Sequence, residues 1–163
     1  LRHELVGYNY RLSEIGAAVA LAQVEKIDWL VGKRKKMATC YTKAIRETGV
    51  DWIIPQSVPK KFINSRYIFA ASLETKGKKF DWYDFREKYI EFGGDGIYSA
   101  WALAYQEPAV MKQLATNGMK FHRCPVAEGL QRKILQFTTN QKNEREMRGQ
   151  AEVLRKTIEF FNH

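Results

Sequence analysis

Residues 7–26 read GYNYRLSEIGAAVALAQVEK, and the rest of the chain is organised around them. The run opens on polar and aromatic side chains, Tyr8-Asn9-Tyr10-Arg11, and passes through Ser13 into a helix. Ser13 stands directly before the apolar-periodic residues, where a hydroxyl can accept from the unsatisfied N–H groups of a first turn, so it is the expected N-cap. Gly16, Ala17, Ala18, Ala20 and Ala22 leave the helix thin-sided, and another backbone can approach it closely. The amide of Asn9 and the guanidinium of Arg11 supply donors that suit phosphate or carboxylate, while the flanking phenols add donors and flat surfaces. From composition alone, the plainer reading of these four residues is a polar loop leading into a helix, with Arg11 paired to Glu14.

Outward from this run, Ser13 to about Thr48 is helical in pattern: Ile15, Val19, Ala22, Ile27, Leu30, Val31, Ala38, Tyr41 and Ile45 recur at spacings near three and four. A bend is expected at Gly32 and a C-terminal cap at Gly49, giving two helical segments. The charged run Lys33 to Lys36 reads as a solvated face. Pro55 and Pro59 make 50–61 a loop, with a short extended piece at Asp51–Ile54. Ser65 to Glu74 (SRYIFAASLE) reads as a strand buried on much of both faces.

Asp81 is placed to cap a helix over Trp82 to Glu91, with Trp82, Phe85, Tyr89 and Phe92 on one stripe. Gly93-Gly94-Asp95-Gly96 then reads as a tight turn rather than a phosphate cradle, because Ile97 to Trp101 looks extended where a cradle needs a following helix. Short helices are expected from Glu107-Pro108 to Leu114 and from Pro125 to about Lys133. Leu135 to Thr139 alternates as a strand, and Glu144 to Phe161 forms a final helix with Met147, Ala151, Leu154, Ile158 and Phe161 on one side. Few strands among many helices give an α+β class: a small, mainly antiparallel sheet covered by helices.

A chain of 163 residues with 45% hydrophobic and 13% aromatic residues is long enough for one domain with a real core. No apolar run reaches membrane-spanning length, and the start, Leu1-Arg2-His3-Glu4, carries no signal peptide, so neither a membrane nor a secretory setting is expected. Cys40 and Cys124 are too few for a disulfide framework and lack metal-ligand spacing, which points to the cytoplasm and to no metal. Twenty-seven Lys and Arg against 18 Asp and Glu give +9, a balance that suits nucleic acid, anionic membranes or anionic small substrates. No base-reading motif accompanies that charge, and spread over solvated faces it needs no single partner.

The order Gly-x-Asn-Tyr-Arg-Leu-Ser, then small residues, then Leu-Ala-Gln-Val-Glu, resembles the DegT/DnrJ/EryC1/StrS sugar aminotransferases. Lys33-Arg34-Lys35 followed by Tyr41, the segment from Asp81 to Gly96-Ile97, Cys124-Pro125-Val126-Ala127-Glu128 and the terminal helix agree in order. The resemblance implies the small C-terminal domain of a fold-type-I scaffold. Residues 1–32 would be the interdomain loop and long helix, and 33–163 the small domain. The N-terminal domain with the Schiff-base lysine would lie outside this chain, which alone should not complete a transamination.

What the resemblance implies chemically is transfer of an amino group, usually from glutamate, to a nucleotide-linked keto-sugar through pyridoxal 5'-phosphate. Asn9 would reach the phosphate of a partner subunit's cofactor, so that a homodimer is needed, and Tyr10 and Arg11 would lie beside the substrate. Charge-assisted bonding by Arg11 would be the stronger contact, about 2 kcal/mol. Gly96 to Tyr105 lies where family members place Gly-Ile, a few residues and a His-Tyr pair near the substrate. This chain has no His there, so Trp101 and Tyr105 would stack on the sugar or nucleotide instead, burial in the core being the plainer role for at least one of them, and Tyr98 would join Trp101 in binding substrate. Relatives that dehydrate deoxysugars carry a His in place of the lysine, and the chain does not include that position. A non-catalytic dimerisation module of the same fold and a basic nucleic-acid-binding domain are the other readings.

Overall fold

A computed structural model describes residues 11–97, 103–120 and 122–162. Helix α1 (Glu14–Val24) begins where expected, with Ser13 Oγ accepting from the Gly16 amide at 3.1 Å. The chain then breaks at Glu25–Lys26 and continues as α2 (Ile27–Thr48), so that Gly32 lies inside a helix and not at the bend. Gly49 ends α2 in the left-handed region (φ 67), where a glycine avoids the Cβ clash any other residue would meet.

Three short strands follow, β1 (Ile53–Pro55), β2 (Ile68–Leu73) and β3 (Ile134–Thr138), in one antiparallel sheet of order β1-β2-β3. The register pairs Ile53 with Leu73, Phe69 with Phe137 and Ala71 with Leu135. Strand β2 is not buried on both faces: Phe69, Ala71 and Leu73 are buried, and the alternate residues Ile68, Ala70 and Ser72 only in part. One face carries the apolar residues, as a sheet covered on one side requires. Between β2 and β3 lie α3 (Trp82–Glu91), a single 3-10 turn at Ala104–Gln106, α4 (Pro108–Thr116) and α5 (Pro125–Leu130), and α6 (Glu144–Phe160) closes the fold.

The core is one cluster between the sheet and helices α2, α3 and α6. Met37, Tyr41 and Ile45 of α2 meet Phe69 and Phe137 of the sheet, Phe85 and Tyr89 of α3, and Met147, Leu154 and Ile158 of α6. These residues recur at helical spacing on each helix, which brings them to one side. Trp82 Nε1 donates to the Ile134 carbonyl at 2.9 Å and fixes α3 against the start of β3.

Asp81 caps α3 as expected: its Oδ1 accepts from the amides of Tyr83 (2.7 Å) and Asp84 (3.1 Å), and Asp84 Oδ2 accepts from the Asp81 amide (2.8 Å). Asp81→Ala removes this reciprocal cap and is expected to cost about 1 kcal/mol in chemical denaturation, with Asp81→Ser recovering most of it.

Helix α1 differs from the rest. It has no buried residue, and Ile15, Val19, Leu21 and Val24 are exposed, Ile15 to 81%. Among the described residues nothing covers these apolar side chains, which are spread around the helix.

Candidate functional site

Of the five candidate residues, Asn9, Tyr10, Tyr98 and Trp101 lie outside the described residues. Arg11 is described; it is exposed and stands two residues before the Ser13 cap. On either side of 98–102 the described chain is anchored by side-chain hydrogen bonds.

The upstream flank is the glycine-rich turn after α3. Gly93 (φ 92) and Gly96 (φ 101) occupy backbone conformations that L side chains rarely adopt. The turn is tied to α6 by Gln150, whose Oε1 accepts from Tyr89 Oη (2.9 Å) and from the Asp95 amide (3.0 Å), and whose Nε2 donates to the Gly93 carbonyl (3.2 Å). Asp95 Oδ2 accepts from Gln141 Nε2 at 2.8 Å and from Thr138 Oγ1. Ile97, buried, then bridges to Phe137 of β3. These residues form a structural turn ending on the sheet.

The downstream flank is anchored by Glu128, in the Cys124-Pro125-Val126-Ala127-Glu128 motif. Helix α5 presents its carboxylate so that Tyr105 Oη donates to Oε1 (2.9 Å), Arg123 Nε donates to Oε2 (3.2 Å), and Arg123 Nη2 also reaches Oε2. These bonds, Arg123 first and Tyr105 second, hold the Glu128 carboxyl down to about 2. Arg123 is therefore an ion-pair partner of Glu128.

Because the folded carboxyl is depressed, its contribution to stability is complete above the ordinary carboxylate value of about 4.3 and is lost as pH falls toward about 2. Glu128→Gln is expected to flatten stability against pH between about 5 and 2, read from denaturation midpoints at a series of pH values. An unchanged profile would exclude the clamp.

Near the Asp95 anchor, at the end of the sheet where β2 starts and β3 stops, Arg34, Tyr67, Thr138 and Thr139 line a hollow of about 380 Å³. Arg34 Nη1 donates to the Tyr67 carbonyl (2.8 Å) and to Thr139 Oγ1 (3.2 Å), with its guanidinium 4.9 Å from the Tyr67 ring centre. The sequence reading left Arg34 in a solvated run. Its partners are 33 and 105 residues away, so no local pattern could have singled it out. Every lysine of the chain is exposed or half-buried, and none is enclosed as a Schiff-base lysine would be.

A family model described as the DegT/DnrJ/EryC1/StrS aminotransferase family matches residues 1–149. A GDP-perosamine synthase of Escherichia coli O157:H7 is 42% identical over 43 residues, 26% of this chain and 12% of that protein. Among solved structures, an aminotransferase from Psychrobacter cryohalolentis superposes with a TM-score of 0.76 at 17% identity, covering 99% of this chain and 42% of that one. The sugar aminotransferase CalS13 from Micromonospora echinospora gives 0.70 at 14% identity, with 92% and 37% covered. The putative sugar aminotransferase Spr1654 from Streptococcus pneumoniae, solved in a PLP form, gives 0.67 at 15% identity, with 91% and 36% covered. The chain thus spans about two fifths of the length of these structures, and the similarity extends over almost all of its own fold.

Proposed function

Because this chain belongs to the DegT/DnrJ/EryC1/StrS aminotransferase family, we propose that it is the C-terminal portion of a pyridoxal-phosphate-dependent enzyme that aminates a nucleotide-linked keto-sugar. The observation that carries this reading is the family match over 1–149, joined to a fold that covers 99% of this chain but 42% of a solved aminotransferase. Residues 1–32 would join the catalytic domain to the small domain of 33–163. Glutamate is the proposed amino donor.

The lysine that would form the Schiff base with pyridoxal phosphate is proposed to lie in the catalytic domain and not among the residues of this chain. When bound in the whole enzyme, the cofactor supplies the electron sink for amino transfer. This chain would supply Asn9 to a cofactor phosphate across a homodimer interface, and Tyr10, Arg11, Tyr98 and Trp101 to the substrate. The exposed apolar side chains of α1, which follows shortly after Arg11, support a subunit interface at this place. The Gln150 and Glu128 anchors would hold the ends of 98–102 so that its aromatic residues meet the sugar nucleotide.

The test is to read the coding sequence upstream of Leu1 and assay its full product with glutamate and nucleotide-linked keto-sugars. An in-frame domain with the lysine, and amino transfer lost in Asn9→Ala and Arg11→Ala, are the expected results. The 163-residue chain alone is expected to be inactive. A His at the lysine position with deoxygenated product would replace the aminotransferase reading with the dehydratase one. A start codon near Leu1 with no upstream domain would end the enzyme reading.

A further inference from the structure

We propose that the cleft between α2 and residues 56–66, on a part of the chain the aminotransferase reading does not use, binds a phosphate ester with an apolar or aromatic body. The cleft encloses about 590 Å³, a volume suited to a small ligand. Four cationic side chains line it, Lys35, Lys43, Arg46 and Arg66, against one carboxylate, Glu47, which Lys43 approaches at 3.6 Å. Asp51 lies in the adjoining hollow, past Arg46 and Arg66. Among the described residues, none of Lys35, Arg46 and Arg66 has a carboxylate within ion-pair distance.

The neutral polar groups of the cleft are already committed. Thr39 and Thr42 donate their hydroxyls back to the helix carbonyls of Lys35 (3.0 Å) and Ala38 (2.9 Å). Asn64 uses its Nδ2 on Gln56 Oε1 (3.3 Å) and its Oδ1 on the Arg66 amide (2.7 Å). Beside the Lys43–Glu47 pair, what remains is the three cations Lys35, Arg46 and Arg66, and this excess of cationic donors selects an anion.

Arg66 is held ready for one. Its backbone sits in the left-handed region (φ 57), rare for a side chain of this size, and is pinned there by Asn64 and by Thr139 Oγ1, which donates to the Arg66 carbonyl at 2.7 Å. Its Nη1 is shielded from solvent and has no hydrogen-bond partner, an unmet donor that a turn of the guanidinium into the cleft would bring to an entering phosphate oxygen. At the rim, Phe62 and Ile63 are exposed, Ile63 to 88%, and give the ligand's body an apolar shoulder beside Lys60 and Lys61. The same chemistry is offered by a soluble organic phosphate and by an anionic lipid headgroup.

The test is an amide NMR titration of the 163-residue chain with phenyl phosphate at low salt, alongside sedimentation with phosphatidylcholine vesicles with and without phosphatidylglycerol. Saturable shifts confined to residues 35–46 and 58–66 are expected. Affinity should fall about tenfold in Arg46→Gln and in Arg66→Gln, and stay unchanged in Lys112→Gln, which removes the same charge from the distant α4. Dispersed spectra of each variant establish that it is folded. Phenyl phosphate binding without vesicle binding assigns a soluble ester. Vesicle binding that needs phosphatidylglycerol and is lost in Arg46→Gln assigns a lipid headgroup. No saturable response in either arm, or equal weakening by Lys112→Gln, overturns the proposal.

Discussion

Gly94→Ala is expected to cost about 3 kcal/mol of stability and to lower the unfolding temperature by roughly 6–12 °C. A Cβ built at Gly94 would lie 2.1 Å from Tyr89 Cε1, 2.3 Å from Cδ1 and 2.7 Å from Cζ, inside the ring's own van der Waals surface. The ring cannot swing aside cheaply. It is fully buried, its hydroxyl donates to Gln150, and its plane meets Phe137 edge-on with centroids 5.4 Å apart. The alternative is to move the turn, which would strain the Gln150 bonds to Gly93 and Asp95 and the Ile97 bridge beyond them. The matched control is Gly149 of α6, where an added methyl meets nothing within 4 Å; Gly149→Ala is expected to stabilise by about 0.5–1 kcal/mol through helix propensity. Urea denaturation of the two variants should therefore move in opposite directions. A Gly94→Ala midpoint equal to that of the parent chain would show that the turn yields freely, and the rigid anchoring of 93–97 would go with it.

How far the sequence foretold this arrangement depended on the range of the interaction. Caps and stripes are local: Ser13, Asp81 and Gly49 act within a few residues, and Met147, Ala151, Leu154 and Ile158 declare one side of α6 by spacing alone. Strand β2 misled because Ala70 and Ser72 are small and Ile68 apolar, so alternation was hidden and two-sided burial was expected of a strand with one covered face. The helix break fell at Glu25–Lys26 and not at Gly32, since a glycine within a helix is tolerated when its neighbours pack. At the site, Arg34 with Tyr67 and Thr139, and Gln150 with Tyr89 and Asp95, join residues 33 to 105 positions apart, for which no periodicity exists. The family resemblance, carried by Gly7 to Glu25, supplied the class. It could not supply these anchors, because the polar contacts that fix a segment's ends are made only when the fold closes.

Phe137→Ala should produce the larger loss of the core substitutions, about 4 kcal/mol, the transfer of a buried aromatic ring plus the cavity it leaves. Phe137 is fully buried on β3 and meets Tyr41 (centroids 5.3 Å), Tyr89 (5.4 Å) and its cross-strand partner Phe69 (6.2 Å). Three large rings on three different elements surround it, so no single neighbour can collapse into the space, which places the cost toward the upper part of the usual range. The effect is also directional. Phe137 is the bridge partner of Ile97, and its loss frees the end of the glycine-rich turn at 93–97. Hydrogen exchange should therefore quicken first at Asp95 and Ile97, before the amides of α2 and α6 that lie farther from the cavity. Phe137→Leu keeps most of the volume and is expected to cost about 1–1.5 kcal/mol with the exchange pattern of the parent chain. Uniform quickening of exchange across the whole chain in Phe137→Ala would separate core stability from the anchoring of the site. Quickening confined to 93–97 would make the ring under the bridge the residue through which the core holds that turn in place.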